Sequence, residues 1–334
     1  MKIIRLLSRC GTAEALSRSI NVMLDVILQA SITEPSTAQS DYFASTAEQD
    51  RLDVQSSAIK STLEGRVILA PLPANPSKIL DIGCGTGHAS LDIARQYPSA
   101  QVYGLDITPV PERAVSQAPP NLHFLTRNIF DVDPTALAGA HEAGEHFLAA
   151  ALQSNTFTHV FARMIFMGMN DWPGLISRAR SLLAPGGYLE LQELDCWFTN
   201  ASGEHIAFTF EEAMSTTMQE RGIDMRAGSH AAERLRAAGF VDVEVHRRPW
   251  TIKALPGEPE SEMTRYISRA IPAMMQEFVR KHVLPQADRW GGEDVVQQWL
   301  SGAKDEDIFS TPGSHSDYFV TIGRKPEAQR EKSD

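Results

Sequence analysis

The chain has 334 residues, and its 42 Asp and Glu outnumber 31 Lys and Arg for a net charge of -11. With no basic cluster to grip phosphates and no apolar run approaching a membrane span, neither nucleic acid nor a bilayer is an expected partner. Cys10, Cys84 and Cys196 are an odd number and widely spaced, which argues against a disulfide framework or a metal site and for reduced thiols. A cytoplasmic setting is expected, with the mitochondrion and the nucleus left open.

From the N-terminus, Lys2, Arg5, Arg9 and Arg18 stand among serines with Glu14 as the only acid before Ile20, a composition with some transit-peptide character. The same region reads as an amphipathic helix. Leu16, Ile20, Met23, Leu24, Ile27 and Leu28 share one face, which would dock on the core or join a homodimer. Ser31 to Ser45 is polar and contains Pro35, so residues 1–45 read as a helical arm and linker. Next comes a helical stretch from Thr46 to Leu69, stopped by Pro71, Pro73 and Pro76. At its approach stand Tyr42 and Phe43, then Arg51 and Gln55 one turn apart on one face.

Lys78 to Gly87 reads Lys-Ile-Leu-Asp-Ile-Gly-Cys-Gly-Thr-Gly, an apolar strand running into a glycine loop, with a helix pattern from His88. Glycines let a backbone take positive φ and approach a ligand, and the following helix offers free amides to an anion. A dinucleotide fingerprint asks for glycines at 83, 85 and 88, but the third here is Gly87. Asp81 ahead of the loop would repel a pyrophosphate and would pair with the ammonium of S-adenosylmethionine. Cys84 lies within the loop. A second strand, Gln101 to Leu105, ends at Asp106, where a carboxylate can take both ribose hydroxyls, with Ile107 beside it. Asn121 to Thr126 is a third strand leading to Asn128, whose amide suits the adenine edge, and Ile129, which would cover the ring. Turn and core roles remain open for both.

Pro134 to Asn155 is an alanine-rich helix with His141 and His146, expected to be solvated. Phe157 to Ile165 is the fourth strand, with Arg163 and Met164 near the end that carries ligands in open α/β sheets. Asp171 caps a helix through Leu183, and Pro185-Gly186-Gly187 turns into a strand from Tyr188 to Leu194. Gly239-Phe240 opens a sixth strand through Val245, and Tyr318 to Ile322 is the last. This alternation demands a mostly parallel sheet with helices on both faces.

Asp81-Ile-Gly-Cys-Gly-Thr-Gly, Asp106, Pro185-Gly-Gly-Tyr and the closing strand resemble a class I S-adenosylmethionine-dependent methyltransferase across residues 46–325. Arg51-Leu-Asp-Val-Gln, Leu69-Ala-Pro-Leu, Pro119-Pro-Asn-Leu, Asp171-Trp-Pro and Gly187-Tyr-Leu-Glu-Leu-Gln are similar to segments of the LaeA-like methyltransferases of fungal secondary metabolism. The resemblance implies a Rossmann-like seven-stranded sheet with an antiparallel last strand. It carries Asp81, Gly83, Gly85, Gly87, Asp106 and Asn128 over as cofactor residues, and folds Tyr42 and Arg51 over the methionine end. Asn128 stands where many members have aspartate, and Phe161 where this subfamily often has histidine. On this reading residues 76–200 are the cofactor core, residues 200–235 and 251–316 are helical lid insertions over an acceptor pocket, and residues 326–334 are a polar tail.

A sulfonium is already activated, so methyl transfer asks for in-line positioning and adds a base only where the acceptor must lose a proton. Glu193 and Asp195, at the end of the fifth strand, and His205 beyond it are the candidate bases, with His205 preferred because imidazole titrates near neutrality. A cofactor loop reports binding and not turnover. Three functions are therefore expected to compete: methylation of oxygen, nitrogen or carbon on a small natural product, regulation through protein partners, and a cyclisation that uses the cofactor without transfer.

Overall fold

In the computed structural model, residues 46–132, 151–302 and 307–327 are described. The arm, Tyr42, Cys10, His141 and His146 lie outside them. A seven-stranded sheet runs in the order β3-β2-β1-β4-β5-β7-β6, with β1 Lys78–Ile82, β2 Gln101–Asp106, β3 Leu122–Thr126, β4 Phe157–Arg163, β5 Leu183–Thr199, β6 Val241–Thr251 and β7 His315–Arg324. The first five are parallel, and β7 is antiparallel to both β5 and β6. Ile79, Leu80, Val102, Val160 and Leu191 are at most 1 % exposed, as expected of parallel strands covered on both sides.

Two apolar cores flank the sheet. The first gathers α1 (Thr46–Thr62), α2 (His88–Gln96) and the helices after β6 against Ile79, Val102 and Phe161. The second sets α3 (Trp172–Leu182) under Leu80, Leu105 and Val160. As expected, Asp171 caps α3, accepting from the Gly174 amide at 2.8 Å. Two helices follow β5: α4 (Glu211–Glu220) joins the first core and α5 (Ala227–Ala237) the second. Ala227, Ala231 and Leu235, four apart, face the sheet. The stretch from 227 to 235, expected within a lid insertion over 200–235, is thus a layer of the core.

Several boundaries differ from those expected. The first helix stops at Thr62 instead of Leu69, because Glu64 (φ 58) and Gly65 (φ 82) turn left-handed and the Gly65 amide closes back on the Lys60 carbonyl at 2.8 Å. β5, β6 and β7 each run longer than their apolar cores, since they pair with one another beyond them. Between β6 and β7, α6 (Glu262–Phe278), capped by Ser261, packs against α1 and continues as a wider-wound turn through Val283. No helix among the described residues is long and apolar enough to cross a membrane.

Candidate cofactor site

Ile82, Asp106, Thr126 and Arg163 end their parallel strands along one edge, and the glycine loop leaves β1 there. Gly83, Gly85 and Gly87 have φ of 70, 55 and 76°. The amides of Gly83 and Cys84 both donate to the Leu105 carbonyl, at 2.7 and 3.1 Å, and tie the loop to β2. A methyl on Gly83 would lie 2.5 Å from Ile165, and one on Gly87 2.8 Å from the Phe124 ring, whereas a methyl on Gly85 would meet nothing within 4 Å. The outer glycines therefore serve close packing, and Gly85 borders open space that a ligand can fill. Cys84 is buried, and burial pushes its thiol well above the ordinary range.

Asp81, at 2 % exposure, accepts from Ser90 Oγ at 2.5 Å. Burial pushes its carboxyl up to about 6, with Asp106 adding to the rise and Ser90 and Arg163 opposing it. Asp106 is braced by its own surroundings. Oδ2 accepts from the Gly85 amide at 2.8 Å, and Oδ1 from both the amide and the hydroxyl of Thr108 at 2.9 Å. Its oxygens still have acceptor capacity for further donors. Ile107 beside it is 43 % exposed. Asn128 caps the turn Ile129–Asp131, its Oδ1 taking the Phe130 amide at 3.0 Å and its NH2 remaining as a donor, while Ile129 is buried.

Helix α1 roofs this edge. Asp53 accepts from Thr86 Oγ1 at 2.7 Å and from Arg113 at 2.9 Å, and Lys60 reaches Asp92 of α2 at 2.7 Å. Ser56 Oγ accepts from Arg163 Nη2 at 2.7 Å. Arg51, buried, donates to the Tyr266 hydroxyl of α6 at 2.7 Å. That bond joins the helix before the sheet to the helix between β6 and β7. Asp53, Ser56, Ser90 and Tyr266 escaped the sequence reading. Asp53 and Ser56 were within its reach, being three apart on the helix that presents Arg51.

The three candidate bases are placed differently. Glu193 is fully buried beside the loop after β4; Oε1 accepts from the Ile165 amide at 3.0 Å, while Oε2 has no partner among the described residues. Burial pushes its carboxyl to about 8 against the opposing Ile165 and Phe166 amides. It thus steadies the segment that carries Met164 at φ 55 and presses Ile165 against Gly83. His205 stacks on Trp197 at 3.6 Å between ring centroids, one nitrogen 3.0 Å from the Phe198 carbonyl and the other 3.0 Å from Glu211. It bridges to Thr199, eight residues along β5 from Leu191, the residue level with Ala162 and Ile82. That is about 26 Å of strand at roughly 3.3 Å per residue. The fold does not bring His205 to the glycine loop. Asp195, the third candidate, is held by Arg226 and the Ser229 amide, both at 2.9 Å.

Residues 56–245 match a family model described as Methyltransferase domain. Among curated relatives, "Methyltransferase pytC" of Aspergillus terreus is 25% identical over 84% of this chain and 81% of its own length. "N-methyltransferase tcpN" of Claviceps purpurea is 31% identical over 59% of this chain and 67% of its own. "Secondary metabolism regulator laeA" of Aspergillus fumigatus is 26% identical over 84% of this chain and 71% of its own.

Proposed function

Since this chain belongs to the methyltransferase domain family and is an S-adenosylmethionine-dependent methyltransferase, we propose that it methylates oxygen, nitrogen or carbon of a small natural product in secondary metabolism. The observation that carries the reading is the cradle itself: open space at Gly85, whose amide is bonded to Asp106 at the end of β2, with Asp81 one residue from the end of neighbouring β1. S-adenosylmethionine, when bound, supplies a methyl group already activated on a sulfonium. The residues present suit it. Asp81 faces the ammonium, Asp106 takes the ribose hydroxyls with Ile107 against the sugar, and Asn128 and Ile129 hold and cover the adenine. Gly83, Cys84, Gly85 and Gly87 let the backbone come close. Tyr42 and Arg51 belong to the segment that closes over the methionine end.

Catalysis on this reading rests on positioning and exclusion of water. Glu193 acts by holding the Ile165 amide and so the floor of the site. His205, paired with Glu211 beside a cleft of about 440 Å³ that Phe208 and Glu212 also line, is the base only for an acceptor reaching along β5. The laeA relatives favour a second reading, a cofactor-binding protein that regulates through partners. Mass spectrometry of the co-purified ligand, then a screen of polyketide and alkaloid acceptors with methyl-labelled cofactor, tests both. Labelled product supports the first reading; cofactor binding with no transfer to any small molecule supports the second.

A further inference from the structure

Arg163 carries a donor that no described residue uses. Its Nη2 donates to Ser56 Oγ, but Nη1 is buried and meets no acceptor among the described residues. A guanidinium stays protonated at any ordinary pH, so this N–H cannot escape the cost of burial by losing its proton. The side chain is held in place. It ends β4, lies with its guanidinium carbon 5.8 Å from the centroid of the Phe161 ring, and is bonded to a serine that is itself 7 % exposed. Asp81 is in register with Phe161, and Phe161 and Arg163 share one face of β4, so Asp81 and Arg163 stand on the same side of the sheet. Ser56, while accepting from Nη2, keeps its own hydroxyl proton to donate. Two donors, Nη1–H and the Ser56 hydroxyl, are thus available beside the glycine loop.

We propose that Arg163 and Ser56 form a carboxylate subsite, and that it takes the α-carboxylate at the amino-acid end of S-adenosylmethionine while Asp81 faces the ammonium. The proposal rests on the cofactor reading above and moves the anion-holding role from Arg51, whose Nη1 is committed to Tyr266, to the end of β4. An acidic acceptor offers the same chemistry, so the test separates the two sources.

Calorimetry of the full chain compares S-adenosylhomocysteine with its decarboxylated analogue, in wild type, Arg163→Met, Arg163→Lys and Ser56→Ala. Wild type is expected to lose roughly 10- to 100-fold in affinity with the carboxylate, the range for a charge-assisted pair. Arg163→Met should bind S-adenosylhomocysteine that much more weakly and no longer distinguish the two ligands, with Ser56→Ala and Arg163→Lys in between. Thermal denaturation without ligand should show the Met variant melting cooperatively near wild type, because the loss of the Ser56 bond and of a favourable charge near Asp81 is offset by removal of a buried donor that meets no acceptor among the described residues. Undiminished discrimination in Arg163→Met overturns the subsite. If that variant binds S-adenosylhomocysteine as wild type does but loses transfer to acidic acceptors and not to their esters, the carboxylate is the acceptor's and the cofactor assignment falls. Failure of wild type to bind S-adenosylhomocysteine at all would instead refute the cofactor reading.

Discussion

Thr86 Oγ1 donates to Asp53 Oδ1 at 2.7 Å, fastening the glycine loop to a helix that precedes the sheet by sixteen residues and is not part of it. The same carboxylate takes Arg113 from the chain after β2 and lies 3.8 Å from His88. One side chain thereby ties α1 to both ends of the cofactor edge.

Asp53→Ala should weaken S-adenosylhomocysteine binding by about 1 to 2 kcal/mol, since it removes two charge-assisted bonds, one to the loop at Thr86 and one to Arg113 after β2, both of them partly open to water. Asp53→Asn, which keeps one acceptor, should recover part of that. Calorimetry measures it, and hydrogen exchange across residues 46–62 should speed up in the Ala variant. Affinity and exchange unchanged by Asp53→Ala would leave α1 as packing alone.

The three loop glycines should separate stability from binding. Gly83→Ala and Gly87→Ala add methyls 2.5 Å from Ile165 and 2.8 Å from Phe124 at positive φ. Each should cost about 2 to 4 kcal/mol of stability from backbone strain and overpacking together. Gly85→Val meets no atom of the described residues within 4 Å of its Cβ, so it should fold with a loss of about 1 to 2 kcal/mol for the strained φ and abolish cofactor binding. Denaturant melts beside calorimetry test this, and a Gly85→Val protein that binds normally would place the ligand elsewhere.

Stability should fall as pH rises from 6.5 to 8. Burial pushes Glu190 to about 7 and Glu193 to about 8, while an unfolded glutamate titrates near 4.3. In this window the folded chain holds protons the unfolded chain has lost, so the stabilisation present at low pH drains away through the folded values. His159, pushed to about 3 by burial, has the opposite sign but acts only below about 6.5, where the unfolded imidazole gains a proton. Each buried carboxyl contributes up to about 1.4 kcal/mol per pH unit. Glu193→Gln, which still accepts from the Ile165 amide, should flatten the slope of the thermal midpoint between pH 7 and 8. An unaltered slope would mean that Glu193 is ionised in the fold.

Tyr266→Phe should leave cofactor affinity within about twofold while lowering turnover several-fold. It removes only the hydroxyl that accepts from Arg51, and so loosens α6 against α1 without touching the glycine loop. Steady-state kinetics at saturating cofactor checks the split. A parallel loss of cofactor affinity would show that the two helices act as one unit with the loop.

How far the chain could be read in advance followed the range of the interactions. The strands buried through most of their length, β1, β2 and β4, were found within two residues of their bounds, because burial on both faces leaves a local signature. β5 was foreseen only from Tyr188 to Leu194. Its outer part is held by pairing with β7 more than a hundred residues on, including Thr199 with His315, and nothing in the local pattern announces that. The place of α5 was hidden for the same reason: it has an ordinary amphipathic pattern, and which core it faces is settled by the sheet.

The sequence by itself determined the strand, glycine loop and acid arrangement at the candidate site. Positive φ, close backbone approach and a carboxylate at a strand end are conditions met within thirty residues of chain. Only the tertiary structure decided which arginine stands with a donor to spare. Arg51 and Arg163 were both eligible by position, and Arg51 Nη1 is bonded to Tyr266, 215 residues away, while Arg163 Nη1 is buried beside Ser56 with no acceptor among the described residues. Hydrogen bonds of that range form only once α1 is trapped between the cofactor edge and α6. Local propensity carries no record of such a placement.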